Sequence, residues 1–258
     1  MSDVLLKVEN LTIQFGGLKA VGDLNFTIEQ GQLAGLIGPN GAGKTTVFNL
    51  LTGVYLPTVG DISVSGKSIV GLKPYQISKV GLTRTFQNIR LFKNLTVLEN
   101  ILIACHQHVT YGLWDCVSMS KKFYLQEKQN TEKAYHLLRV FGMEDKALSE
   151  ASALPYGAQR KLEIVRALAT DPKMILLDEP AAGMNHSETH QLMETIAQVR
   201  KDFNLTVLLI EHDMKLVMGI CEKIIVLDHG VKIAEGTAQQ IQNSPKVIEA
   251  YLGVAEEA

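Results

Sequence analysis

The chain is poor in cysteine, and its few cysteines are not spaced for a metal site. Cys105, Cys116 and Cys221 lie far apart and form no C-x-x-C pair. This spacing argues against a structural zinc site and against a disulfide framework. It is typical of proteins that remain in a reducing compartment.

Long apolar runs are also absent from the sequence. Hydrophobic residues make up 46% of the 258 residues, but no run of them approaches the roughly 18 residues that a membrane span requires. The first residues show no basic stretch followed by an apolar one, so we expect no secretory signal peptide. We therefore expect no direct membrane span, although docking onto a membrane protein stays open.

Neither sign of charge dominates the chain. The 25 lysines and arginines nearly balance the 27 aspartates and glutamates, which leaves a formal net charge of −2. Domains that bind nucleic acid usually carry a clear excess of basic residues. We therefore expect no nucleic-acid partner.

A glycine-rich segment carries the first functional signal. Residues 38–45 read Gly-Pro-Asn-Gly-Ala-Gly-Lys-Thr and match the phosphate-binding pattern G-x-x-x-x-G-K-S/T. The segment follows an apolar run at 33–37 and opens a predicted helix from Lys44 to Leu51. Glycines let backbone N–H groups approach a triphosphate closely, Lys44 would reach its β- and γ-phosphates, and the hydroxyl of Thr45 would bind Mg²⁺. The residues that we assign to the nucleotide here are Gly38, Asn40, Gly41, Ala42, Gly43, Lys44, Thr45 and Thr46.

Two carboxylates follow a second apolar run. Residues 174–177 read Met-Ile-Leu-Leu and lead directly into Asp178 and Glu179. Carboxylates at the end of a buried strand require a compensating positive charge, and we assign Mg²⁺ to that role. Asp178 would hold the metal, and Glu179 would polarise the attacking water. The alternative is a helix N-terminus with acidic residues, since Pro180 follows.

The remaining patterns predict an α/β core that is interrupted by a helical insert. Helical periodicity dominates from Val97 to Phe141, except for residues 106–124, which show no clear period and receive no assignment. The predicted strands are 5–15, 24–29, 33–37, 62–64, 82–86, 174–177, 207–210 and 224–227, and the other predicted helices are 186–201 and 247–252.

The turn at residues 154–160 lies between the glycine-rich segment and the two carboxylates. With these three features in this order, the chain resembles the ATP-binding cassette family of transport ATPases over nearly its whole length. The resemblance implies one domain, 1–258, with a P-loop NTPase core and an antiparallel β region. Residues 1–87 and 160–258 would form the nucleotide-binding core. Residues 88–159 would form an inserted helical subdomain that ends in the signature motif.

The resemblance also implies roles for single residues. Phe15 falls where an aromatic ring stacks on adenine, although the plain alternative is a core residue. Gln87 falls at the glutamine that senses the γ-phosphate and faces the membrane partner, Gly157 lies in the signature motif, and His212 falls at the histidine that contacts the γ-phosphate. The implied catalytic set is Lys44, Gln87, Glu179 and His212, and the implied metal set is Thr45, Gln87 and Asp178.

Residues just after Gln87 are expected to dock the membrane partner. Leu91 and Phe92 would form an exposed apolar patch, before a helix that Thr96 caps. The alternative is that both side chains fill the core under the helical insert.

Four segments look like the branched-chain amino acid import group, namely residues 84–92, 156–164, 211–218 and 247–253. The resemblance implies an ATP-hydrolysing subunit that uses ATP and Mg²⁺ on the cytoplasmic face of the inner membrane. It would pair with a second ATPase subunit, identical or different, beneath two permease subunits fed by a periplasmic binding protein. The alternatives are the ATPase of a lipid or lipopolysaccharide exporter and a soluble regulatory ATPase.

The chain departs from the family pattern in its signature motif and in the loop at 181–185. The family usually has Ser, Gly and Gln where Pro155, Tyr156 and Ala158 stand, and Asp where Asn185 stands. Proline offers neither a hydroxyl nor an N–H donor. We therefore expect this signature half-site to contribute weakly, unless Pro155 serves only to start the helix.

Overall fold

The computed structural model describes residues 3–252, so Gly253, which ends the 247–253 segment, lies outside the described residues. The chain divides into two compact units. The first comprises Met1–Arg84, Lys173–Pro180 and Ala197–Ala258, and the second comprises Thr85–Pro172 and Ala181–Ile196. The predicted helical segment 88–159 falls inside the second unit.

Two sheets form the first unit. The strands are β1 (Val4–Phe15), β2 (Leu18–Glu29), β3 (Leu33–Ile37), β4 (Val59–Val64), β5 (Lys67–Ser68), β6 (Leu82–Arg84), β7 (Met174–Asp178), β8 (Thr206–Ile210), β9 (Lys223–Asp228) and β10 (Val231–Gly236). An antiparallel sheet has the strand order β2-β1-β4-β5, and a six-stranded sheet has the order β10-β9-β3-β8-β7-β6. Neighbours in the larger sheet are parallel, apart from the antiparallel pair β9 and β10.

Ten α-helices connect or flank these strands in the described part of the chain. They are α1 (Lys44–Leu51), α2 (Pro74–Val80), α3 (Val97–Cys105), α4 (Leu113–Val117), α5 (Lys121–Val140), α6 (Tyr156–Leu168), α7 (His186–Asp202), α8 (Met214–Ile220), α9 (Ala238–Gln242) and α10 (Pro245–Leu252). Both sheets and their helices confirm the predicted α/β class with an antiparallel β region.

Three adjacent strands of the larger sheet, β3, β8 and β7, consist mainly of apolar residues. Every residue of β3, β7 and β8 is buried, as expected for parallel strands covered on both faces. Because these strands run parallel, their carboxyl ends meet at one edge of the sheet. Gly38, Glu179 and Glu211 each follow one of these strands. The glycine-rich loop, which starts at Gly38, and the two glutamates therefore lie along that edge.

In the second unit, helices α3, α5 and α6 pack against one another. Ile101, Leu138 and Leu162 are completely buried there. Helix α3 begins at the predicted cap: the Thr96 hydroxyl accepts the Glu99 N–H at 3.1 Å, and the Glu99 carboxylate accepts the Thr96 N–H at 2.7 Å. This reciprocal pair is a capping box.

The unassigned segment 106–124 contains a short exposed helix. Helix α4 is preceded by a 3₁₀ turn at His106–His108 and followed by the start of α5. Leu113, Trp114 and Val117 on α4 are all exposed, with Trp114 at 84%. The predicted helical span 97–141 is therefore broken into three helices.

Several boundaries differ from the sequence prediction. The strand predicted at 82–86 ends at Arg84, because its pairing with β7 stops at the Arg84–Leu176 partners. Strand β10 was not predicted, since an edge strand with mostly half-buried residues has little apolar alternation. Helices α2, α8 and α9 were also not predicted, because five to seven residues are too few to show a helical period.

Membrane spans were expected to be absent. Within residues 3–252, no helix combines the length and the apolar character needed to cross a bilayer.

Replacing Thr96 with Ala should destabilise the second unit through the loss of the α3 cap. An N-cap contributes about 1 kcal/mol, which corresponds to a decrease of about 2–4 °C in the apparent melting temperature of a chain of this size. Differential scanning calorimetry measures the shift. Thr131→Ala, inside α5, is the control and should cause no decrease, because alanine is the better residue in a helix interior.

Candidate nucleotide-binding site

The glycine-rich loop connects β3 to α1 with the geometry of an anion site. Gly43 precedes α1 with φ of 98°, and no side chain caps the helix N-terminus. The first backbone N–H groups of α1 are thus available to an anion, together with the positive end of the helix dipole. Gly38 has φ of 153°, and a Cβ there would lie 2.1 Å from the carbonyl oxygen of Leu227. Only glycine fits where the loop leaves β3 beside β9.

Lys44 supplies a positive charge at this loop. Its ammonium is buried and donates to the carbonyl oxygens of Gly38 and Pro39 at 2.7 and 2.9 Å. Burial lowers the pKa of Lys44, while the carboxylates of Glu179 and Asp178 act in the opposite direction. The loop therefore holds a cation within electrostatic range of both acidic residues, and a phosphate oxygen could engage this cation in place of the two carbonyls.

Asp178 is paired with an arginine that the sequence reasoning overlooked. The guanidinium of Arg84 donates to Oδ2 of Asp178 at 2.6 Å, and both side chains are almost fully buried. Arg84 is therefore a compensating charge in addition to the Mg²⁺ that we predicted. The signal was a charged residue within the predicted strand 82–86, since an arginine requires a partner wherever such a strand is buried.

Glu179 and His212 meet at the same edge of the sheet. Oε1 of Glu179 lies 2.5 Å from Nε2 of His212. Glu179 has a φ of 48°, an uncommon value for a residue other than glycine, and its N–H donates to the carbonyl of Ile210 at 2.9 Å. Two residues from different parts of the sequence are thus in direct contact, a pairing that neither motif predicted.

The chemistry of this site fits a divalent cation carried by a nucleotide. Thr45 presents an exposed hydroxyl in the first turn of α1, and Asp178 offers a carboxylate. Mg²⁺ prefers such oxygen ligands and usually completes its shell with water and substrate phosphates. Within the described residues no cluster of three or more His, Cys, Asp or Glu side chains could bind a metal without such help.

Phe15 lies at the surface of the first unit. Phe15 is the last residue of β1, and its ring is 45% exposed and contacts Tyr55 edge to face with centroids 5.2 Å apart. The alternative that Phe15 is a core residue is therefore wrong. An exposed ring beside the turn between β1 and β2 leaves a face free to stack on a planar group.

Gln87 belongs to the second unit, where α6 holds the segment that contains it. The buried guanidinium of Arg160 donates to the carbonyl of Phe86 at 2.8 Å and to the carbonyl of Gln87. Glu163 accepts from the N–H groups of Phe86 and Arg90 at 3.4 and 3.3 Å. Burial raises the pKa of Glu163, and Arg160 opposes this shift. The backbone on both sides of Gln87 is thus fixed to α6.

Helix α6 begins at the unusual signature sequence. Pro155 is its N-cap residue, with a backbone carbonyl that accepts the N–H of Gln159 at 3.0 Å. Gly157 lies in the first turn, and the Tyr156 ring covers Gly183, where an added Cβ would lie 2.9 Å from the ring. The aromatic residue that replaces the usual glycine therefore packs on the loop at 181–185.

Asn185 forms a reciprocal cap at the start of α7. Its side-chain oxygen accepts the N–H of Glu188 at 2.9 Å, and Glu188 accepts the N–H of Asn185 at 3.0 Å. Asparagine and aspartate are about equally good N-caps. The replacement of the usual aspartate thus preserves the local structure.

The apolar pair after Gln87 is divided between surface and interior. Phe92 is 48% exposed, whereas Leu91 is half-buried. The backbone of Phe92 is fixed by the buried amide of Asn100, which accepts its N–H and donates to its carbonyl, each at 3.0 Å. The alternative that both side chains fill the core is wrong for Phe92.

Comparison with known proteins identifies the family. Residues 21–182 match the model of the ABC transporter family, and residues 231–257 match the model described as branched-chain amino acid ATP-binding cassette transporter. The second match covers β10, α9 and α10, which lie beyond the range of the first match.

Curated relatives align along almost the whole chain. The high-affinity branched-chain amino acid transport ATP-binding proteins BraF of Pseudomonas aeruginosa and LivG of Escherichia coli are each 48% identical over 255 residues, which is 99% of this chain and 100% of theirs. The probable LivG of Methanocaldococcus jannaschii is 32% identical over 254 residues, 96% of this chain and 97% of that protein.

Solved structures agree with these relationships. A nucleotide-free ATP-binding cassette from an ABC transporter superposes with a TM-score of 0.83 at 32% identity, covering 97% of this chain and 99% of that one. The ADP conformation of another such cassette gives the same TM-score and coverage at 31% identity. The chain therefore belongs to the ABC transporter family, as a nucleotide-binding ATPase of its branched-chain amino acid group.

Proposed function

We propose that this chain is the ATP-hydrolysing subunit of an importer for branched-chain amino acids. One observation carries the hydrolytic part: Lys44, Asp178 and the Glu179–His212 pair converge at the carboxyl ends of the parallel strands of one sheet. The relatives that align end to end are named as branched-chain amino acid transport ATP-binding proteins, and this supports the substrate class.

In this proposal, the glycine-rich loop binds the phosphates of ATP. The N–H groups at the start of α1 and the ammonium of Lys44 stabilise their negative charge, and Phe15 stacks on the adenine. Thr45 and Asp178 hold Mg²⁺, with Gln87 as a further contact. The ion, when bound, neutralises charge that develops on the transferred phosphoryl group.

Glu179 is the residue that we propose to activate water. A carboxylate oriented by a hydrogen bond to His212 is well placed to accept a proton from a water molecule that attacks the γ-phosphate. His212 would also approach the γ-phosphate itself when nucleotide is bound.

The second unit supplies what this mechanism requires from a partner. Arg160 and Glu163 connect the Gln87 segment to α6, and the N-terminus of α6 presents Gly157. We propose that the signature end of one ATPase subunit faces the P-loop of a second subunit, identical or different, with ATP between them. The proline at 155 provides no N–H donor, so this half-site should contribute weakly.

Transport also requires a membrane path, and we propose two permease subunits for it. A periplasmic binding protein would deliver the amino acid, and this chain would lie on the cytoplasmic face of the inner membrane. The exposed ring of Phe92, five residues after Gln87, is the proposed contact with the permease.

Leucine uptake tests the proposed substrate class. The complex that co-purifies with this chain, reconstituted in vesicles with its binding protein, should accumulate radiolabelled leucine when ATP is present on this chain's side. A permease that proves to be a lipid exporter, or ATP-driven lipid transfer without leucine uptake, would contradict the proposal.

Glu179→Gln should abolish turnover while ATP binding remains intact. The amide preserves the shape but cannot accept the proton, and general-base assistance contributes about 10²–10⁴-fold. Steady-state ATPase assays and equilibrium binding measure the two effects. Glu194→Gln, on the exposed face of α7, is the matched control and should behave like the wild type. Activity above about a tenth of wild type would refute the assignment of Glu179.

Phe92→Asp should prevent assembly with the permease, because it places a charge in an apolar contact. Co-purification of the complex is the readout, and ATP binding by the isolated subunit should remain. Phe203→Asp is the control, since Phe203 is similarly exposed, at 44% against 48% for Phe92. Normal assembly of the Phe92 variant would contradict its proposed role.

A further inference from the structure

Arg84 connects three elements that surround the phosphate site. It is the last residue of β6, and its NH2 group donates to Oδ2 of Asp178 at 2.6 Å. Its NH1 group donates to the side-chain oxygen of Asn49 at 2.7 Å, and its guanidinium lies 5.4 Å from the centre of the Phe48 ring. Phe48 and Asn49 both belong to α1, the helix that starts at the glycine-rich loop.

This arrangement leaves one oxygen of Asp178 available. Arg84 bonds Oδ2, and no hydrogen bond from residues 3–252 reaches Oδ1. The bond to Oδ2 restricts rotation of the carboxylate, and the two α1 residues restrict the guanidinium in turn. The direction of Oδ1 is therefore set by Arg84 and, through it, by the helix that presents Thr45.

We propose that Arg84 is a positioning residue that orients Asp178 toward a divalent cation. Arg84 holds Oδ2, so that Oδ1 faces the ion, or a water of the ion, that the nucleotide brings. The inference rests on the proposed function, because Mg²⁺ binding by Asp178 and Thr45 belongs to that proposal. Groups that hydrogen-bond a ligating carboxylate typically change metal affinity by about 10–100-fold when replaced.

The alternative is that Arg84 only neutralises a buried charge. A lysine could fulfil that role, since it also carries one positive charge. A guanidinium differs because its planar fork bonds two acceptors at fixed angles, here Asp178 and Asn49. Arg84→Lys therefore retains the charge and removes the orientation, so the two roles predict different results.

Mn²⁺ binding to the ADP-loaded chain separates these roles without measuring hydrolysis. Electron paramagnetic resonance reports free Mn²⁺ during a titration of the purified full-length chain. We expect Arg84→Lys to raise the dissociation constant of Mn²⁺ by about 10–100-fold. The affinity for ADP in EDTA should change by less than about twofold, because the contacts of the loop with phosphate do not involve Arg84.

Arg200→Lys is the matched control. Arg200 forms a 2.7 Å ion pair with Glu222 in the same unit, and its replacement should leave Mn²⁺ affinity unchanged.

Asp178→Asn distinguishes failure of this inference from failure of the proposed metal site. If Asp178→Asn leaves Mn²⁺ affinity unchanged, the metal assignment of Asp178 fails, and the role of Arg84 fails with it. If Asp178→Asn weakens Mn²⁺ binding and Arg84→Lys does not, only the positioning role is overturned.

A second variant covers the case in which Arg84→Lys does not fold. Asn49→Ala removes the other anchor of the guanidinium and leaves the ion pair with Asp178 intact. It should weaken Mn²⁺ binding by a smaller factor than Arg84→Lys, with ADP affinity in EDTA retained. Unchanged Mn²⁺ affinity in the Asn49 variant would then overturn the proposal.

Discussion

The carboxylate of Asp178 is buried at the end of an apolar strand, and the free-energy cost of that burial requires cations close to it in the first unit. An unpaired buried charge costs several kcal/mol, so such a group persists only where cations face it. Arg84 pairs with it directly, and Lys44 lies close enough to interact electrostatically. Both cations are attached to α1, one as its first residue and one through Asn49 and Phe48. The acidic strand end and the phosphate loop are thus stabilised by the same charges.

A similar arrangement stabilises the second unit. Glu163 is buried in α6, and Arg160 is buried three residues before it. Each side chain also bonds backbone groups of the segment 86–90, so these charges fix an irregular stretch of chain that has no strand or helix of its own. A segment without a regular hydrogen-bond ladder needs such partners when it runs over a core.

Local patterns predicted much of this structure. The helix bounds of α1 and the strand before it are confirmed residue for residue, because a glycine-rich turn, an apolar run and a helical period occur together there. The α/β class and the family are confirmed as well. The roles assigned to single site residues remain predictions.

What could not be predicted depends on contacts between distant residues. The pairing of Arg84 with Asp178 joins positions 94 residues apart, and that of His212 with Glu179 joins positions 33 apart. No local period encodes such a pair. Strand β10 is defined by its partner β9 rather than by its own sequence, as is usual at a sheet edge. The exposure of α4 similarly depends on what the rest of the second unit leaves uncovered.

Helix α4 determines what optical spectroscopy of this protein reports. Trp114 is the sole tryptophan of the chain, and it lies on α4, well exposed to water. Its emission will therefore be that of a hydrated indole, and unfolding will shift its wavelength little. The first unit, which carries the glycine-rich loop, contains no tryptophan of its own. A fluorescence signal that does change will report events at α4, so a second label is needed to observe the ATP site.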